Sequence, residues 1–201
     1  MSVLNYMQQP ALHPRLVAGV CCSRSHFQAH GLELGEVLEP GLAAELIGEL
    51  RQLPLGPHLV TAPHARGFHW RCDVELPAVF APQAFQALFR LQRFLDEDVP
   101  GLVGRILDQP LRSAQPGVIR LCSFRRGAWY EEEEGEGIRF VLALTGGVWP
   151  ADWGGQLQWG GTSQALGWDR LLVLPEGIPM SISLLKRQVS TLFVSGELEP
   201  V

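Results

Sequence analysis

The chain changes rhythm near its middle. Up to about residue 114 the apolar positions fall mainly at helical spacing; from Gln115 onward they fall in short runs with strand character. Leu42, Leu46, Ile47, Leu50 and Leu53 recur on one side of a helix that opens at Pro40-Gly41 and is stopped by Pro54 and Gly56. Phe85, Leu88, Phe89 and Leu95 form the stripe of a second helix, starting after Pro82 and running from residue 83 to about 96. Pro100-Gly101 is expected to break it before a continuation over 99–107. Ahead of these, residues 1–30 read as an irregular arm and residues 32–38 as a short strand. Residues 57–76 read as two short strands about a turn at Ala65-Arg66-Gly67, with Trp70, Cys72 and Val74 on one side. His58, His64 and His69 cluster in that region without metal-type spacing.

In the second half the strand-like runs are 118–124, 138–144, 156–159, 170–174, 180–185 and 189–195, separated by turns containing Gly or Pro. Helices first and strands after indicate an α+β chain with an antiparallel jelly roll, rather than alternating βαβ units. Neither a repeat nor a linker interrupts it. The expected organisation is one domain over 1–201, with an N-terminal arm (1–30), a helix-rich buttress (31–114) and a β core (115–201).

Composition narrows the function classes. Of 201 residues, 46% are hydrophobic and 18% charged, which suits a globular chain with a sizeable core. A net charge of −5 with no basic tail argues against nucleic acid, whose binding rests on cations that neutralise phosphates. No run approaches the roughly 20 apolar residues of a membrane helix, and the start lacks a basic segment followed by an unbroken apolar run. Cys21, Cys22, Cys72 and Cys122 form no CxxC, so reduced thiols in a cytoplasmic protein is the expectation.

The centre of the chain, residues 129–159, holds an acidic run, an apolar strand, a Trp/Pro turn and a double glycine. Phe124 and Gly127 precede the acidic run. Arg139-Phe140-Val141-Leu142-Ala143-Leu144 follows it, then Trp149 and Gly154-Gly155-Gln156-Leu157. A late strand, Arg170-Leu171-Leu172-Val173-Leu174-Pro175, leads to Arg187-Gln188-Val189-Ser190-Thr191-Leu192-Phe193. This ordered set resembles the iron- and 2-oxoglutarate-dependent oxygenases of the prolyl-hydroxylase-like type. The resemblance implies a double-stranded β-helix, cupin-like, with N-terminal helices buttressing one sheet.

The resemblance also implies where iron ligands would stand. An i, i+2 pair on an extended segment puts both side chains on one side, as a His-x-Asp pair requires. The family spacing places that pair on Glu132 and Glu134, and the distal histidine on Met180 or Ser181. No histidine follows His69. The leading expectation is therefore a catalytically degenerate relative, with no cofactor and no metal. It would serve as a binding or scaffolding module for a protein partner, a second copy or an active relative. One alternative is an active oxygenase using Fe(II) and 2-oxoglutarate, its metal site rebuilt from Glu132 and Glu134 with His64 or His69. Another is a jelly roll that binds a small carboxylate. For either ligand, Arg187 stands where the family grips the distal carboxylate of 2-oxoglutarate. Trp129, Trp149 and Trp153 are candidates for a ligand wall or a partner contact.

Overall fold

A computed structural model of the chain describes residues 11–13, 16, 20–76, 85–145, 149–165 and 167–201. A helix, α1 (Arg24–His30), falls within the arm expected to be irregular. Ser23 starts it by accepting a hydrogen bond from the His26 amide at 3.2 Å, and Phe27 anchors it in the core. β1 (Leu32–Gly35) follows, then α2 (Pro40–Leu50), which opens with Pro at its first position, where no amide is needed. The Glu39 carboxylate accepts from the amides of Gly41 and Leu42, both at 3.0 Å.

α3 (Gln86–Arg93) has no cap of its own; the start expected at Pro82 and Gln83 lies outside the described residues. Glu49 of α2 closes its end instead, accepting from the amides of Ala87 and Leu88 at 3.0 and 2.8 Å. Burial pushes the Glu49 carboxyl above the usual carboxylate range, against the pull of these two amides. Glu49→Ala leaves both amides without that acceptor. It is expected to cost ~1–3 kcal/mol in urea denaturation, since a buried donor left unmet forfeits its desolvation energy. A loss below a few tenths would mean that water replaces the carboxylate.

The break expected at Pro100 takes another form. A π-turn over Phe94–Asp98 joins α3 to α4 (Val99–Leu107) without an interruption. The wider turn shifts the hydrogen-bond ladder just ahead of Pro100, which has no amide to contribute.

Eleven further strands complete the described set: β2 (Gly56–Ala62), β3 (Ala65–Glu75), β4 (Leu111–Ser113), β5 (Val118–Phe124), β6 (Trp129–Glu132), β7 (Ile138–Ala143), β8 (Leu157–Trp159), β9 (Thr162–Gln164), β10 (Arg170–Leu174), β11 (Met180–Ile182) and β12 (Thr191–Pro200). The β2–β3 turn lies at Pro63-His64, two residues before its expected place. All pairings are antiparallel, in the order β1-β10-β7-β12-β5-β3-β6-β11-β8-β9, with β2 beside β3 and β4 beside β12. β3 carries the chain of pairings round the corner: Trp70 to Glu75 pair with β5, and Ala65 to Phe68 with β6.

Strand alternation sorts the two faces of the large sheet. Ile119, Leu121, Leu142 and Val194 face the helices and pack with Leu42, Leu46, Leu88 and Phe94. Phe124, Val141, Phe193 and Leu172 face the other way, toward Leu157, Trp159 and Ile182 of the smaller sheet. The result is the expected double-stranded β-helix, buttressed by helices on one face and open to a cavity between the sheets. Among the described residues no helix is long and apolar enough to cross a membrane.

Candidate functional site

The cavity between the sheets has a volume of about 190 Å³. Its wall is set largely by alternate positions on seven strands, with Phe140 and Gly196 between them. His69 and Arg71 come from β3 and His58 from β2; Arg120, Cys122 and Phe124 come from β5. Phe193, Ser195 and Glu197 come from β12, Arg139 and Val141 from β7, Tyr130 and Glu132 from β6, and Met180 and Ile182 from β11.

The glutamate run expected as an acidic loop is partly strand. Its register decides which carboxylates turn inward. Glu131 turns outward, to Arg66 at 3.0 Å. Glu132 turns inward, and its carboxylate is held by Nη1 of Arg139; both side chains are about nine-tenths buried. Arg139 Nη2 donates to the carbonyls of Ile178 and Pro175, at 2.6 and 3.4 Å. Gly135 leaves room for this: a Cβ there would stand 2.6 Å from the Ile178 carbonyl oxygen and closer still to Arg139. Burial pushes the Glu132 carboxyl upward while Arg139 draws it back.

The other arginines are held differently. Arg71 is fixed by Asp73, through Nε at 2.7 Å and through Nη2, and Nη1 lies 3.4 Å from Nε2 of His58. Arg120 donates to Gln115 at 2.8 Å and meets Glu197 and Asp73 only at 3.7 and 3.9 Å.

His69 stacks on Phe124, ring centroids 5.0 Å apart, with the Tyr130 ring edge-on and His58 at 5.2 Å. Burial, then the charges of His58 and Arg71, push its pKa down to about 4. Burial, with Glu132 beside it, pushes the Tyr130 phenol up to about 12. The Cys122 thiol is also raised by burial. At neutral pH these three groups are uncharged, which suits hydrogen bonding better than nucleophilic attack.

The site residues expected from the sequence converge only in part. Glu134 is exposed and pairs with His64, likewise exposed, at 3.7 Å, whereas Glu132 and His69 line the cavity. Arg187 is 62% exposed and faces Asp152 at 3.8 Å, outside the cavity. Trp129, Trp149 and Trp153 do not line it either. Trp149 and Trp153 meet edge to face at 5.5 Å, and Trp149 donates to the Gly154 carbonyl at 2.7 Å, so they pack the turn. Arg71, Arg120 and Arg139 line the cavity although the family spacing singles out none of them. Their signal was present: each sits at an inward position of an otherwise apolar or alternating strand.

The fold is the double-stranded β-helix that 2-oxoglutarate oxygenases and prolyl-4-hydroxylases share. Solved structures carry that fold. A Pseudomonas putida prolyl-4-hydroxylase superposes with a TM-score of 0.59 at 16% identity, over 87% of this chain and 96% of that one. A Trichoplax adhaerens prolyl hydroxylase, in complex with a hypoxia inducible factor oxygen degradation domain peptide fragment, gives 0.62 at 13%, over 91% and 90%. HygX from Streptomyces hygroscopicus, with nickel and 2-oxoglutarate bound, gives 0.61 at 14%, over 95% and 88%. At these identities the likeness is one of fold. No family profile and no curated protein matches the sequence.

The expectation that the chain takes no cofactor is corrected by HygX, whose structure of the same fold holds a metal and an organic acid. The two groups fit this lining unequally. Glu132 is engaged by a guanidinium, Glu134 is at the surface, and Met180 and Ile182 are the inward residues of β11. Among the described residues no three His, Cys, Asp or Glu side chains come together to hold a metal ion. A divalent ion therefore does not fit at Glu132. An organic acid fits better, because three arginines line the cavity against two glutamates.

Proposed function

We propose that this chain is a binding protein on the 2-oxoglutarate oxygenase fold, with hydroxylase chemistry lost at Glu132 and the cavity kept for a small organic acid. The observation that carries this reading is the Arg139 guanidinium on Glu132. The position that would meet a metal ion meets a fixed cation of the protein instead. Charge at that point is already balanced, and the pair sits where water does little to screen it. The remaining polar lining is mainly arginines with Glu197, neutral imidazole, phenol and thiol, set among aromatic and aliphatic side chains, which recognise rather than react.

A ligand that binds only the folded state raises the melting temperature by mass action. Melting is measured with 2-oxoglutarate alone, Mn²⁺ alone and both together. The expected result is that Mn²⁺ adds nothing to whatever the acid does. A further rise with the metal present, abolished in Glu132→Ala, would overturn the reading in favour of a working metal site.

A further inference from the structure

Strand register gives the cavity two unlike ends. Across the large sheet Asp73 pairs with Arg120, Arg120 with Ser195, and Glu197 with Arg139. These rows make one end charged. Four residues along β5, Phe124 stacks on His69 and meets Phe193 edge to face at 5.9 Å, with Tyr130 beyond. That end is aromatic. Four residues of strand span roughly 13 Å at the backbone, and two arginine side chains reach inward across part of that length.

Buried polar atoms without a partner mark both ends. Arg120 Nε and Arg139 Nε are buried and donate a hydrogen bond to no protein acceptor, the Asp73 carboxylate standing 3.9 Å from Arg120 Nε, and Nδ1 of His69 is likewise buried without a hydrogen-bond partner. All three residues line this one cavity. Buried polar atoms are almost always met by something, so such a concentration calls for an occupant with acceptor oxygens at one end and a polar group at the other. The volume sets its size. An apolar cavity of about 150 Å³ takes a benzene ring, so about 190 Å³ has room for a ring with a small head group.

We propose that the cavity binds a small aromatic carboxylic acid carrying a hydroxyl on the far side of its ring. Its carboxylate lies on Arg120 and Arg139, its ring against Phe124, and its hydroxyl toward His69. This rests on the reading of the cavity as an organic-acid site and names the acid's class. Arg120 carries recognition of the carboxylate, because its anionic partners stand farther off than those of Arg71 and Arg139. His69, neutral, meets the hydroxyl.

The test uses the full chain with 4-hydroxybenzoate, benzoate and 2-oxoglutarate as probes, by thermal shift and by saturation-transfer NMR of the probe's own protons. The second measurement needs no variant. The expected result is binding of 4-hydroxybenzoate several-fold tighter than benzoate. Arg120→Gln should weaken both acids at least tenfold, and His69→Phe should remove the preference between them. Binding unchanged in Arg120→Gln, or equal binding of the two aromatic acids, would overturn the assignment. A response to 2-oxoglutarate with none to either aromatic acid would overturn this inference and leave the binding reading standing. A response to 2-oxoglutarate that needs Mn²⁺ would overturn both.

Discussion

Replacing Glu132 with alanine is expected to destabilise the protein by ~3–5 kcal/mol, read as the loss of unfolding free energy in urea. The reason is what remains behind. Arg139 cannot discard its charge, since a guanidinium stays protonated at any ordinary pH. It is tied to the Ile178 and Pro175 carbonyls and walled in by Gly135, so it cannot swing to solvent without releasing those carbonyls as well. An uncompensated buried charge is the expensive product of breaking such a pair; the pair itself adds little. The double variant Glu132→Leu/Arg139→Met therefore recovers most of the loss. It falls short of the parent by ~1–3 kcal/mol, because the two carbonyls lose their donor. A Glu132→Ala protein within 1 kcal/mol of the parent would show that Arg139 finds another anion or water, and the site's electrostatics would need redrawing.

That pair also shows which features were legible in the sequence. Val118–Phe124 and Arg170–Leu174 were readable to the residue, because apolar alternation is local and turns bound both runs. The ordered resemblance led to the right fold. The site was harder, since it depends on register between distant strands. Glu132 and Glu134 are equivalent by i, i+2 spacing, yet β6 ends at Glu132, where the next amide, that of Glu133, goes to the His64 carbonyl at 2.8 Å. Glu134 is therefore free of the strand's alternation and turns to the surface. Arg187 fitted the family spacing, but β12 begins at Thr191, so Arg187 lies in the loop before it and outside the rows that face the cavity. Arg139 heads the run matched to the family's apolar strand; only its pairing with Glu197 and its reach to β6 place it inside.

Acidification should expose His69 in the same measurable way. Its ordinary value is 6.5, and burial, then His58 and Arg71, lower it in the fold to about 4. Between those values the unfolded chain takes up a proton at this position and the folded chain does not. Unfolding is then coupled to proton uptake, so lowering the pH favours the unfolded state. The contribution is fully present above pH 6.5 and is lost as pH falls toward 4. At about 1.4 kcal/mol per pH unit, the loss across that window is about 3 kcal/mol. Phenylalanine in place of His69 keeps a ring against Phe124 and removes the titration. Urea unfolding at pH 7 and pH 4 should show the parent losing about 3 kcal/mol more than His69→Phe. Carboxylates elsewhere lower both proteins alike and cancel in the difference. Equal losses in the two proteins would mean that His69 is protonated inside the fold, with an anionic partner that its surroundings do not supply.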